Sequence, residues 1–316
     1  MTQAFILGAG LGTRLRPMTE RLPKPLVPLF HKPLAERAME ACRALGIGRF
    51  AVNTHHLPDA WLEFGGEAAG SGLVGANGCG VVTRRWDGCE VSLFHEPDLL
   101  ETGGGLKNIG EWMGDEAVLV HNGDIFSTMP LEKLVAAHEA SGLPVTLALR
   151  SAGEATHIAL DQGGTRVTDI RRMLGKADGS HVFSGIYCVN PEFLGMLPEG
   201  EKVSVIPAFL ELAARGELGA VVLDDGVWLD LGDRESYLKA HRELELGDAV
   251  HEDAVVEAGA LVERSVVGPG ARIGAGAVVK DSVVWPGGRV CAGAVLEGCV
   301  VYSGGEIRGV HRDADV

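Results

Sequence analysis

No run of apolar residues in this chain is long enough to cross a bilayer, and the N-terminus lacks the basic-then-apolar pattern of a secretory signal. The sequence therefore reads as cytoplasmic, with no membrane partner. No CxxC pair occurs among the six scattered cysteines, so neither a disulfide framework nor a zinc site is expected. Positive charge is in deficit: 28 Lys and Arg against 43 Asp and Glu leave a formal charge of −15. Such a chain repels a phosphate backbone, which excludes nucleic acid as a partner. An anionic ligand has to be held by a local group of cations and backbone N–H groups. No Ser/His/Asp arrangement can be placed either.

The chain has 316 residues, 46% of them hydrophobic, enough for a sizeable core and about two domains. Gln3 to Leu7 predicts a short buried strand before a glycine loop. Pro33 to Leu45 predicts an amphipathic helix opened by proline. Arg49–Asn53, Val91–Phe94 and Ala117–His121 read as strands, and Leu57–Phe64 and Leu106–Met113 as helices. The glycine- and alanine-rich stretch 65–80 reads as a mobile loop. Val145 to Val189 is strand-like around a Gly163-Gly164 turn, and Ser204–Arg215 and Asp233–Leu246 are helical. Strands alternating with helices predict an α/β domain with a largely parallel sheet, whose ligands bind beyond the carboxyl ends of the strands.

Beyond residue 249 the pattern changes. Aliphatic residues recur at Val250, Val256, Val262, Val267, Ile273, Val279, Val284, Val290, Leu296, Val301 and Ile307, in steps of six, six and five, a period of 17 residues. A flexible Gly/Ala-rich tail would not hold eleven aliphatic residues in register. The repeat predicts a parallel β-helix with three faces per coil. The domains are expected at 1–247 and 248–316, the second as an assembly surface for a homo-oligomer.

Four motifs carry chemistry. The first is Gly8-Ala-Gly-Leu-Gly-Thr-Arg-Leu-Arg-Pro followed by Leu22-Pro-Lys-Pro, directly after the first strand. Glycines turn backbone N–H groups toward an anion, and Arg14, Arg16 and Lys24 add full charges. A dinucleotide fingerprint needs glycine where Thr13 stands, and a P-loop needs a Gly-Lys pair that is absent. The second, Val120-His-Asn-Gly-Asp124, sets a carboxylate at a strand's end, suited to Mg²⁺ with phosphate partners. The third, Val227-Trp-Leu-Asp230-Leu-Gly232, offers another. The fourth is Glu96-Pro-Asp-Leu-Leu-Glu101-Thr-Gly-Gly-Gly105, where Gly103 to Gly105 are expected to open a helix with their N–H groups facing outward.

Together these residues resemble the sugar-1-phosphate nucleotidylyltransferases, at matching places over about residues 3–240. The resemblance implies a Rossmann-like α/β nucleotidyltransferase domain with a mixed, mostly parallel sheet, here followed by a short left-handed parallel β-helix. It implies that the loop with Gly8, Gly10, Gly12 and Thr13 wraps the triphosphate of a nucleoside triphosphate, Gly10 lying near the base. Arg14 contacts phosphates and Lys24 holds reacting phosphate groups. Asp124 and Asp230 bind the metal, Mg²⁺. Glu96, Thr102 and Gly103 lie on the nucleotide side, and Asn122, Gly123 and Gly185 on the sugar-phosphate side. Many relatives carry Glu-Glu-Lys-Pro where this chain reads Ile170-Arg171-Arg172-Met173, so Arg172 or Lys176 is expected to replace the missing lysine.

The segments Asn53-Thr-His55-His56-Leu57 and Glu101-Thr-Gly-Gly-Gly look most like N-acetylmuramate 1-phosphate uridylyltransferases, which normally lack a β-helical tail. Mannose 1-phosphate guanylyltransferases often have one, and heptose 1-phosphate guanylyltransferases share the Thr-Gly-Gly segment. The reading leans to UTP, with GTP close behind. His55-His56 is read as surface or supporting rather than metal-ligating. Two other classes are weighed. A hexapeptide acyltransferase would need a catalytic histidine within a coil, but His251 and His311 lie at the ends. An inactive nucleotide-sugar-sensing regulator would be expected to lose Arg14, Lys24, Asp124 or Asp230, and all four are present.

Overall fold

In the computed structural model, which describes residues 1–64, 67–74, 80–153 and 155–316, a nine-stranded sheet organises the first part of the chain. Its strands are β1 (Gln3–Leu7), β2 (Arg49–Thr54), β3 (Glu67–Val74), β4 (Gly80–Trp86), β5 (Cys89–His95), β6 (Val118–Asn122), β7 (Val145–Arg150), β8 (Val182–Val189) and β9 (Leu218–Val222). Their order is β9-β7-β8-β6-β1-β2-β5-β4-β3. The centre, β6-β1-β2-β5, is parallel, and β9 is parallel to β7. β8 runs antiparallel to β6 and β7, and β3-β4-β5 is an antiparallel meander. The central strands read as short apolar runs because helices cover both faces of a parallel sheet. Phe5, Ala51, Val118 and Val120 are fully buried in a core shared with Trp112, Tyr187 and Phe209.

Several sequence expectations are corrected. The first helix, α1, runs Leu34–Arg43, because Pro33 pairs with Pro28 in a two-residue hairpin. The stretch expected as a mobile loop contains β3, paired antiparallel with β4; residues 65, 66 and 75–79 lie outside the described residues. Val74 is its only β-branched residue, so ladder pairing with β4 makes the strand rather than propensity. The helix expected from Leu106 begins at Glu101 and is split into Glu101–Asn108 and Gly110–Met113. The hairpin around Gly163-Gly164 is present, Ile158–Leu160 pairing with Val167–Ile170.

The repeat folds as its period demands. Val256 aligns with Ile273, Val290 and Ile307; Val262 with Val279 and Leu296; Val267 with Val284 and Val301. These three parallel stacks are those of a short left-handed β-helix, with the repeat positions from Val262 onward pointing into one apolar core and Val256 of the first coil exposed. One corner of each coil takes a left-handed backbone, at Arg264, Asp281, Gly298 and Asp313. Stacking puts Arg264 and Asp281 in register, and the guanidinium grips both carboxylate oxygens at 2.8 and 2.7 Å. The last coil is shorter: Leu296 aligns with His311 rather than with a residue 17 further on.

The chain divides into two compact units that interleave in sequence. One is Met1–Leu11 with Ala35–Trp228; the other is Gly12–Leu34 with Leu229–Val316. No helix of the described residues is long and apolar enough to cross a membrane. The described cysteines, Cys42, Cys89, Cys188, Cys291 and Cys299, are free thiols.

Candidate active site

In the first unit the site residues gather at the carboxyl ends of β1, β2, β5 and β6. Asn53, near the end of β2, is the hub. Its Oδ1 accepts from the Gly8 amide at 2.8 Å, and its Nδ2 donates to Glu96 Oε1 at 2.7 Å. The other Glu96 oxygen accepts from the Leu100 amide at 3.0 Å. A Cβ on Gly8 would lie 2.6 Å from the Asn53 carbonyl and 2.8 Å from the Trp61 ring. A Cβ on Gly105 would lie 2.7 Å from Asn53 Nδ2. Both glycines are there so that this relay can pass.

Glu96 is therefore not an open ligand. It is fully buried, and burial pushes its carboxyl up while the Leu100 and Asn53 hydrogen bonds oppose that. Both partners are donors, so the acid is positioned as a two-oxygen acceptor bracing the loop after β5.

The expectation of outward-facing amides at Gly103 is also corrected. The Gly103 and Gly104 amides both donate to the Val203 carbonyl, at 2.8 and 3.0 Å, so no anion cradle remains there. Their Cβ positions are occupied by the Val203–Ser204 and Glu201 backbone, which is why the segment is glycine. Thr102 spends its Oγ1 on the Val205 amide at 3.1 Å, ahead of the helix Ile206–Arg215.

After β6 come Asn122, Gly123 and Asp124. The Gly123 amide donates to the Leu7 carbonyl at 2.9 Å, tying this turn to β1. Asp124 is half-buried. Gly185, at φ 77°, stands where a Cβ would be 2.7 Å from Asn122 Nδ2, so it makes room for that amide. Arg172 and Lys176 lie exposed on the loop after Ile170. Buried Asp169 organises this loop by accepting from the Leu174 and Lys176 amides at 3.0 and 2.8 Å. Arg172 pairs with Asp178 at 2.9 Å.

His121 carries a cost. It is fully buried, its Nδ1 is 2.8 Å from the Asn122 carbonyl, and its Nε2 has no partner among the described residues. Burial pushes its pKa down to about 4 from 6.5, the Asn122 carbonyl and Asp124 only partly opposing. A depressed folded value means that the unfolded chain takes up the proton first. The His121 contribution is complete above about pH 6.5 and is lost as pH falls toward 4, at about 1.4 kcal/mol per pH unit. Urea unfolding from pH 7 to 5 should show this slope, and His121→Leu should flatten it; an unchanged slope would contradict the assignment.

In the second unit the signature loop, the Asp230 strand end and the β-helix share one body. The Lys24 ammonium, almost fully buried, is 3.7 Å from the Asp230 carboxylate. Gly12, at φ 60°, packs on the Lys24 Cβ and Thr19, and Thr19 Oγ1 donates to the Gly12 carbonyl at 2.9 Å. The Arg14 guanidinium lies flat over Gly232: a Cβ there would be 2.7 Å from one of its terminal nitrogens and 2.9 Å from Cζ. Thus the glycine of Trp-X-Asp-X-Gly is a seat for Arg14. Thr13 and Arg16 are exposed. Arg14, Lys24 and Asp230 come together here, two cations and one carboxylate on neighbouring backbone. Sequence reasoning named these three but missed Gly232 as the seat and Asn53 as the hub. A polar residue ending an apolar strand was the available signal for Asn53.

Metal fit can be judged from the donors. No group of three or more His, Cys, Asp or Glu forms a metal cage among the described residues. Asp124 in the first unit and Asp230 in the second each offer hard carboxylate oxygens, the donor type with which Mg²⁺ is held alongside substrate phosphates.

The family model for nucleotidyl transferases matches residues 3–246, and that for the GlmU-like C-terminal hexapeptide matches 239–311. A mannose-1-phosphate guanylyltransferase of Mycobacterium tuberculosis is 29% identical over 290 residues, covering 86% of this chain and 76% of the relative. A D-glycero-alpha-D-manno-heptose 1-phosphate guanylyltransferase of Aneurinibacillus thermoaerophilus is 27% identical, covering 77% and 98%. A UTP--glucose-1-phosphate uridylyltransferase of Synechocystis is 26% identical, covering 76% and 64%. Among solved structures, a UDP-glucose pyrophosphorylase from Acinetobacter superposes with a TM-score of 0.61 at 16% identity, over 76% of this chain and 92% of that one, a likeness of fold. With its motifs, its sheet and its tail accounted for, the chain belongs to the nucleotidyl transferase family, among the sugar-1-phosphate nucleotidyltransferases.

Proposed function

We propose that this protein transfers a nucleotidyl group from GTP to a sugar 1-phosphate of manno or heptose type, releasing pyrophosphate. The observation that carries the reaction class is the Arg14–Lys24–Asp230 group, set on a glycine loop beside Gly232. The lean toward UTP and N-acetylmuramate 1-phosphate gives way, because mannose- and heptose-1-phosphate guanylyltransferases are among the relatives, one of them matching 86% of this chain. UTP stays as the second reading, on the strength of the Synechocystis relative.

An oxygen of the sugar phosphate attacks the α-phosphorus, the bond to the bridging oxygen breaks, and its electrons leave with pyrophosphate. The nucleophile is already ionised, so no general base is needed. Both reactants are anions, and Arg14 and Lys24 neutralise them and stabilise the charge of the transition state. Mg²⁺ on Asp124 and Asp230 would add a Lewis acid that screens the phosphates. Arg172 or Lys176 takes the sugar phosphate, with Asn122, Gly123 and Gly185 lining that side. The β-helix is the proposed homo-oligomer surface, its first coil exposing Val255, Val256 and Leu261; a monomer by light scattering would sink this.

The test is pyrophosphate release with Mg²⁺ for five NTPs against mannose, heptose, glucose and N-acetylmuramate 1-phosphates. Turnover with GTP and a manno or heptose phosphate is expected. Background rates across the panel would overturn the reading, and turnover only with UTP would move it to the second. Gly10→Ala is a sharper probe. A Cβ at Gly10 meets nothing within 4 Å, so the fold does not need glycine there. Unchanged Tm with a nucleotide KM raised about tenfold is expected if a base lies over it, roughly the effect of one lost close contact; an unchanged KM would remove Gly10 from the nucleotide site.

A further inference from the structure

The phosphate-binding cations of the second unit stand on a floor that belongs to the β-helix. Leu15, Met18 and Val27 of the signature loop are fully buried in one cluster with Tyr237 and Leu238 of the helix Arg234–Glu243 and with Val283, Trp285 and Val300 of the solenoid. Two hydrogen bonds run through it. The Trp285 Nε1 donates to the Tyr237 hydroxyl at 3.0 Å, and that hydroxyl donates to the Pro28 carbonyl at 2.6 Å. Pro28 is four residues after Lys24. The same helix is capped by Asp233, the residue after the Gly232 seat of Arg14, through a capping box with Ser236. Its first residue, Arg234, is held to the solenoid by Asp315 at 2.7 Å and by the Gly298 carbonyl at 2.5 Å.

A tyrosine hydroxyl has one proton and spends it here on a backbone carbonyl of the loop. A fully buried ring contributes packing, but packing alone is satisfied by phenylalanine. The hydroxyl adds direction, fixing how far the loop stands from the coil that carries Trp285.

We propose that Tyr237 and Trp285 are positioning residues for the nucleotide triphosphate, through which the solenoid sets the place of Lys24 and Arg14. This rests on the reading of those two cations as phosphate ligands. Neither residue touches substrate; they act on the loop that does.

Tyr237→Phe keeps the ring and removes the link. Expected are a KM for the nucleotide and a Kd for inorganic tripolyphosphate, read by calorimetry, each raised about tenfold, the factor equivalent to about one net hydrogen bond. The KM for the sugar 1-phosphate should stay within about twofold. Trp285→Phe leaves the Tyr237–Pro28 bond in place and should give a smaller shift in the same direction; it carries the test if Tyr237→Phe does not fold. A purely structural role predicts a lower Tm with nucleotide KM and tripolyphosphate affinity unchanged well below melting, and that result overturns the inference. A wild-type protein that neither binds tripolyphosphate nor turns over any pair of substrates sinks the functional reading and this inference with it. Wild-type turnover with an indifferent Tyr237→Phe sinks the inference alone.

Discussion

A chain stopped after Gly247 is expected to lose most of its soluble yield and all measurable nucleotidyl transfer. Residues 248–316 supply Val283, Trp285 and Val300, against which Leu15, Met18, Val27 and Leu238 are shielded. Each fully buried side chain of this kind is worth about 1.5–3 kcal/mol. Uncovering part of four of them, and the Tyr237 ring, costs on the order of 5 kcal/mol, comparable to the whole stability of many domains. The Arg234 contacts to Gly298 and Asp315 go as well. Soluble fraction, circular dichroism and pyrophosphate release of the shortened chain measure this. A fragment that is soluble, melts near the full-length temperature and turns over would show that the signature loop stands without the solenoid.

Replacing Lys24 by methionine should lower kcat/KM by about 10²–10³-fold, the usual cost of one preorganised charge at a developing phosphate charge. The ammonium is almost fully buried beside Asp230, where its charge is little screened. Methionine preserves the stem that packs under Gly12. Stability should hold or rise slightly, because a buried cation costs desolvation that an apolar side chain avoids. Asp230, itself half-exposed, keeps water as a partner when the amine is gone. A drop below about fivefold, with Tm unchanged, would remove Lys24 from the transition state.

Much of this was legible in the residues. The 17-residue period gave the solenoid coil by coil, because each inward aliphatic must meet its copy one coil away. It failed at the last coil, where Leu296 meets His311 and the aliphatic signal has already ended. The strands with apolar runs stood out, whereas Glu67–Val74, half alanine and glycine, is a strand by virtue of its partner. Gly103 and Gly104 read as an anion cradle because glycine before a helix frees amides in sequence; in space the Val203 carbonyl, a hundred residues on, takes them. Glu96 was placed on the nucleotide side by resemblance alone, its two donors, Asn53 and the Leu100 amide, being invisible from its neighbours. The division at residue 247 follows the composition, yet the signature loop shares its core with the solenoid. Nothing local connects Pro28 to Trp285.

That interleaving has a consequence in time. The ribosome delivers Gly12–Leu34 long before Trp285. Contacts this remote in sequence form late and slowly, since loop closure must precede any gain. Until Trp285 emerges, the nascent chain carries Arg14 and Lys24 without the apolar floor beneath their loop. The packing around this loop is thus completed only once the solenoid coils emerge rather than domain by domain, leaving Leu15, Met18 and Val27 in need of cover until then.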